Sequence, residues 1–202
     1  MEKYFLLCAE ERSDVAIAYT IGEPPISYEL ISSLEGKSKL PFNLILKKVH
    51  QRKNGPIVTN ELSEVKFLWR DYQPNCLAWP MFSEKMKKII EKNLSGYENI
   101  DWIEAEIEAY SEQKKYYILR FNSKLDLLDL KKTSFIPGTE LILKGYFTFE
   151  KIKKINVFYL PKPNDYWKIT SGIYISQKLK EALEEEKLEG LIFEDISSDR
   201  IT

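Results

Sequence analysis

Residues 102–110 read Trp102-Ile103-Glu104-Ala105-Glu106-Ile107-Glu108-Ala109-Tyr110, and this stretch decides the fold class. Ile103, Ala105, Ile107 and Ala109 alternate with Trp102, Glu104, Glu106, Glu108 and Tyr110. A period of two sends neighbouring side chains to opposite faces of a strand. The reading is therefore a half-buried β-strand with an apolar face on the core and an acidic face outward. Ser111-Glu112-Gln113-Lys114-Lys115 reads as a polar turn. Tyr116–Phe121 then reads as the returning strand of an antiparallel hairpin.

Working outward, the pattern changes period. Leu77–Phe82 is a short apolar run, and Ser83 follows it. Met86, Ile89, Ile90 and Leu94 then fall on one helical stripe. Ser83 can accept from a free N–H at the helix start, and Gly96 suits a left-handed residue beyond its end. The same arrangement recurs near the C-terminus. Gly172–Ile175 is apolar, Ser176 stands at the cap, and Leu179, Ala182, Leu183 and Leu188 make the stripe. Gly190 ends the helix and Leu191–Ile196 is the last strand. A strand–helix–strand unit is thus used twice, with helices near 83–95 and 176–188, and common capping physics accounts for both copies. Further strands are expected at 3–9, 15–21, 41–49, 140–144 and 157–160, with a turn through Glu11–Asp14. Gly22-Glu23-Pro24-Pro25 breaks the chain, and Asn54-Gly55-Pro56 and Pro137-Gly138 are turn signals. Residues 26–75 otherwise carry little pattern. The fold class is α+β, a mostly antiparallel sheet with a few short helices. The expected organisation is one domain over residues 1–202, with a candidate sub-boundary near 72–75.

Composition narrows the function. Apolar residues make up 44% of the 202, enough for a packed core, whereas 30% charged residues argue against a membrane protein. No stretch approaches the roughly 20 apolar residues of a membrane span. The apolar run after Met1-Glu2-Lys3 is shorter than the roughly 7–15 residues of a secretory core, so it reads as a strand and the chain as cytoplasmic. Thirty basic against 31 acidic residues give no basic excess, which argues against a nucleic-acid binder. Cys8 and Cys76 form no CxxC and read as buried free thiols in a reducing compartment.

No catalytic constellation emerges. His50 is the one histidine. It lies in the basic run Lys47-Lys48-Val49-His50-Gln51-Arg52-Lys53, beside a turn signal and with no carboxylate near it in sequence, and reads as an exposed loop residue. One histidine and two dispersed cysteines do not make a typical zinc site. No P-loop, GxGxxG or EF-hand pattern occurs. The chain is read as non-enzymatic, with no catalytic, cofactor or metal residues to assign. The run 47–53 reads as a solvated loop, with phosphate binding by Lys47, Lys48, Arg52 and Lys53 as the weaker reading. Two readings of Glu104, Glu106 and Glu108 stand side by side. Three carboxylates at roughly 7 Å intervals suit a solvated sheet face, offset by a neighbour such as Arg120. They also suit, as the weaker reading, an acidic surface for a basic protein partner, with Trp102 and Tyr110 as aromatic anchors. Trp102, Glu104, Glu106, Glu108 and Tyr110 are the candidate partner-binding residues.

Trp167–Leu183 (WKITSGIYISQKLKEAL), followed by Leu188-Glu189-Gly190-Leu191-Ile192-Phe193, resembles the end of bacterial polymorphic-toxin immunity proteins, families forty-three and eleven of that series. The resemblance extends back through the serine-led helix at Met81–Leu94, the strand Tyr116–Phe121 and the leucine–aspartate segment Leu125-Asp126-Leu127-Leu128-Asp129-Leu130. It covers roughly residues 77–196. It implies no active site. It does imply a cytoplasmic protein that binds and neutralises a cognate toxin domain, protecting the producing cell. A regulatory or scaffold module without a toxin is the alternative, followed by a nucleic-acid binder and then an enzyme using carboxylates.

Overall fold

The computed structural model describes residues 3–12, 15–52, 55–196 and 201. The twofold use of one unit is visible in its topology. β5 (Met81–Ser83), α2 (Glu84–Lys92) and β6 (Ile100–Ala109) form the first unit, and β11 (Ile173–Ser176), α4 (Gln177–Glu185) and β12 (Leu191–Asp195) the second. In neither unit do the two strands pair with each other. β5 and β6 flank β7 (Glu112–Phe121), antiparallel to it on both sides. β11 and β12 flank β1 (Tyr4–Ala9) in the same way. Each unit is therefore a split β–α–β, with parallel strands and a third strand inserted between them.

β10 (Val157–Tyr159) extends the second unit into a four-stranded antiparallel sheet, β10-β11-β1-β12. The first unit belongs to a six-stranded sheet. There β2 (Ala16–Thr20) and β4 (Gly55–Thr59) both pair antiparallel with β3 (Leu44–Arg52), and β3 meets β6 in a short parallel contact. α1 (Ser27–Ser33) follows β2. β8 (Ser134–Phe135) and β9 (Ile142–Lys144) make a separate two-stranded hairpin, and α3 (Phe149–Ile152) follows it. The class is α+β with mostly antiparallel strands, as the alternation at 102–110 predicts.

Three apolar layers pack against these sheets. The central one joins Phe5, Leu7 and Ile175 of the smaller sheet to Phe82, Leu119 and Phe121 of the larger, with Met86 and Ile90 of α2 and Leu179 and Leu183 of α4 between them. A second layer lies beyond the larger sheet, where Ile103, Ala105 and Ile107 meet Leu30, Ile31 and Leu34. A third lies beyond the smaller sheet, where Tyr4 and Phe158 meet Leu127, Leu128, Phe147 and Ile152. The segment near 72–75 is tied to several elements. Tyr72 N donates to Glu189 O at 3.1 Å, Ser83 N to Asp71 O at 2.8 Å, and the Gln73 amide to Ala16 O at 2.7 Å.

The cap serines behave as their positions require and also bind the units together. Ser83 Oγ accepts from Met86 N at 3.2 Å and donates to Asp71 at 2.5 Å. Ser176 Oγ accepts from Leu179 N at 3.3 Å and donates to Asn156 Oδ1 at 2.6 Å. Ser176→Ala removes a cap and leaves a buried amide oxygen without its donor. We expect a loss of about 2 kcal/mol, read from urea unfolding, about half from each. Ser83→Ala, at a less buried cap, is expected to cost nearer 1 kcal/mol.

Several local expectations are corrected. Gly96 and Gly190 are left-handed (φ +88° and +90°) but do not end the helices. Asn93 and Glu186 are the C-caps, and Lys187 already turns left-handed at φ +50°. The hairpin turn is tighter than the polar run suggests. Ala109 pairs with Glu112, so only Tyr110 and Ser111 lie in the loop. Glu112–Lys115 are strand residues because β6 supplies their partners. His50 sits in β3 opposite Ile57, half-buried, and not in an exposed loop. Residues 55–59 continue as a strand, while Asn54 of the expected turn, like Ser13 and Asp14 of the first turn, lies outside the described residues. Cys8 and Cys76 are free but half-buried rather than buried.

Candidate protein interface

β6 is held on both sides. Along one side it pairs with β7 over its full length. Along the other, Leu40 N donates to Glu104 O and Glu104 N to Ser38 O, both at 2.8 Å, and β3 then takes over at Ile45 opposite Glu108. This double pairing fixes the direction of every side chain on the strand. Ile103, Ala105 and Ile107 are fully buried, and Glu104, Glu106 and Glu108 emerge together on the opposite face.

That face is only partly covered. At the start of β6 the helix α2 lies over it. Trp102 packs edge-on against Phe82 with ring centroids 6.3 Å apart, and the Lys87 ammonium lies 5.7 Å from its ring. Further along, no helix intervenes. Cross-strand registers set Tyr19 beside Ile45, Ile45 beside Glu108, and Glu108 beside Gln113. Ile17 lies beside Lys47, and Glu106 beside Lys115. Ile17, Tyr19, Ile45 and Lys47 are half-buried, as are the three glutamates. The result is an open sheet face with an apolar flank on β2 and β3 and a charged centre on β6 and β7.

Two of the carboxylates are bracketed by cations. Lys39 Nζ is 2.6 Å from Glu106 and 3.9 Å from Glu104. Lys115 Nζ is 3.1 Å from Glu104. Asn43 donates to Glu108 at 2.8 Å and Gln113 to Glu106 at 3.0 Å. The hydrogen bond from Lys39 holds the Glu106 carboxyl below the usual range, and the bond to Glu104 holds Lys115 above its usual value. All three glutamates therefore present spent acceptors as well as charge. The ladder is a patterned surface rather than a bare acidic stripe.

Of the five candidate residues, the structure brings the three glutamates together on this face. Trp102 lies at its covered end, under α2. Tyr110 has left the strand. It occupies the hairpin turn at φ +54°, 74% exposed. Arg120 does not offset the glutamates. It forms a bidentate pair with Asp101 at 2.5 and 2.7 Å and donates to Leu34 O at 2.7 Å. Tyr19, Ile45 and Lys39 were missed because long-range pairing alone brings them beside β6. Lys115 was within reach of sequence reasoning, since a two-residue turn places it opposite Glu106.

The weaker phosphate-binding reading of residues 47–53 loses its geometry. Lys47 and Lys48 point to opposite faces of β3. Lys47 lies 5.9 Å from the Tyr19 ring, whereas Lys48 is buried and paired with Glu64 at 2.5 Å. The side chains of Arg52 and Lys53 lie outside the described residues. Among the described residues, no group of three or more His, Cys, Asp or Glu is placed to hold a metal ion, and no helix is long and apolar enough to cross a membrane.

Residues 10–198 match the family described as Immunity protein family (Imm11), one of the two that the C-terminal residues resemble. The match reaches well beyond residues 77–196, into the segment where the sequence carried little pattern. No curated protein matches.

Proposed function

This chain belongs to the Imm11 immunity protein family, and we propose that it neutralises its cognate toxin in the cytoplasm of the producing cell by direct binding through the open face of the six-stranded sheet. Toxin neutralisation is what membership of the family implies. The observation that carries the choice of face is its geometry. Glu104, Glu106 and Glu108 stand in register on a strand held from both sides, next to the half-buried apolar flank of Ile17, Tyr19 and Ile45. A rigid sheet presents such a pattern without ordering cost on binding, which favours affinity. Partially desolvated carboxylates, two with lysines at their sides and the third bonded to Asn43, discriminate between partners by matching charge positions rather than net charge.

The test is a triple reversal, Glu104→Lys, Glu106→Lys and Glu108→Lys, measured for binding to the cognate toxin domain. The reversal sets new ammonium groups beside Lys39 and Lys115 and inverts the face. Affinity at low salt is expected to fall on the order of 100-fold, and the loss to shrink as salt screens it. Lys39→Ala alone is expected to change binding little, because a single exposed pair contributes little. A triple variant that folds and binds as tightly as the parent would remove this face from the interface.

A further inference from the structure

The second unit is joined to the first by a long excursion, residues 122–156, and the middle of that excursion is an arm. Leu128 bridges Phe147, Asp129 N donates to Tyr146 O at 2.8 Å, and Thr148 N to Leu127 O at 2.9 Å. This stem is anchored by Leu127, Leu128 and Phe147 in the third apolar layer. Beyond it, among the described residues, β8 and β9 pair only with each other. Ile136 N donates to Leu141 O at 2.8 Å and closes the tip.

The arm is apolar where it meets solvent. Leu143 is 71% exposed, Leu130 66%, Leu141 45% and Ile136 41%. Ile136 and Leu141 are joined across the tip, and Leu143 lies two residues along β9, on the same face as Leu141. Ile142, between them, turns inward to the third layer. The pairing with β8 is irregular at Ser134 and Phe135, which face Lys144 and Ile142, so Leu143 lies opposite the irregularity. Contiguous exposed apolar side chains mark interaction sites.

Charge identifies the occupant. Lys131 and Lys132 lie at the base of the arm, exposed and with no ion pair among the described residues. Lys144 lies 4.9 Å from the Tyr146 ring, and Glu140 is the one acid between Leu130 and Lys144. A second copy of this chain fits poorly, because a two-fold contact through the arm brings like lysines together. Resting on the reading above that the chain binds its toxin, we propose that this arm is a second docking element, taking an apolar patch of the toxin domain flanked by carboxylates. The arm supplies Ile136, Leu141 and Leu143 as apolar anchors and Lys131 and Lys132 as the charged rim.

The probe is the purified cognate toxin domain, titrated calorimetrically. Ile136→Ser with Leu141→Ser and Leu143→Ser removes the anchors at exposed positions, so melting should be unchanged while affinity falls on the order of 100-fold. Lys131→Glu with Lys132→Glu should weaken binding about tenfold at low salt, with the difference closing as salt rises. Three results would overturn the proposal: full affinity in the triple serine variant; a wild-type dimer that this variant converts to monomer, which makes the occupant a second copy; or adsorption to phosphatidylserine vesicles that the variant abolishes, which makes it a lipid surface. Failure here is distinguishable from failure of the sheet face. Loss of binding in the Glu→Lys variant with full binding in the serine variant rejects the arm alone, and a wild-type chain that does not bind the toxin domain rejects both.

Discussion

Glu98→Ala is expected to destabilise the fold by about 3–4 kcal/mol in urea unfolding. Glu98 is buried at 7% exposure between the end of α2 and the start of β6. Its Oε1 accepts from Asn156 N at 2.5 Å and Val157 N at 3.3 Å, and its Oε2 accepts from Ser95 N at 2.9 Å and Ser95 Oγ at 2.6 Å. One carboxylate thus satisfies backbone donors at the start of β10, in the other sheet. Asn156 completes the clasp, since its Nδ2 donates to Asn93 O at 2.8 Å and its Oδ1 receives the Ser176 hydroxyl. Truncation leaves the buried Val157 N–H and the half-buried Asn156 N–H without partners, each worth about 1–3 kcal/mol. A loss below about 1 kcal/mol would mean that water or a shifted Ser95 replaces the carboxylate. The contact would then be incidental to the joining of the two units.

Gly190→Ala is expected to cost about 3 kcal/mol, by a different route. Gly190 holds φ +90°, where a Cβ is strained by about 1–2 kcal/mol. The added carbon would also stand 2.7 Å from Tyr72 O and 2.9 Å from Arg70 Nε. The backbone has little room to yield. Gly190 O accepts from Glu10 N at 2.9 Å, and the preceding carbonyl accepts from Tyr72 N at 3.1 Å. Arg70 itself is buried and paired with Glu10. The measurement is the urea midpoint at constant slope. A variant as stable as the parent would show that this crossing of three segments tolerates rearrangement.

These two positions also show where sequence reasoning reached and where it stopped. The strands and helices of both units were legible because their signals are local. An alternation from Ile103 to Ala109 and a serine ahead of a leucine stripe depend only on residues a few positions apart. The role of Gly190 was not legible for the same reason. Its position after a helix suggested a helix stop, whereas its close neighbours Arg70 and Tyr72 are about 120 residues away in the chain. α1 escaped notice because it is seven residues long and Ile26, at its N-cap, offers no side-chain bond. The insertion of β1 between β11 and β12 joins the two ends of the chain, which no local pattern records. At the candidate face, period two correctly set the three glutamates together. It could not show that Lys39 brackets them, that α2 covers Trp102, or that a two-residue turn removes Tyr110. The apolar arm left a partial trace. Pro137-Gly138 marked its turn, but Leu141 and Leu143 read as ordinary strand residues until the fold left them uncovered.

Protection by complex formation can be measured directly. A cognate toxin domain is induced in a bacterial host with and without this chain, and the chain is then recovered by affinity from the protected culture. Growth is expected to be restored, with toxin domain and chain eluting together as a stoichiometric complex. The Glu104→Lys, Glu106→Lys, Glu108→Lys variant is expected to restore neither growth nor co-elution. Growth arrest despite abundant folded chain, or protection with no toxin bound to it, would contradict neutralisation by direct binding.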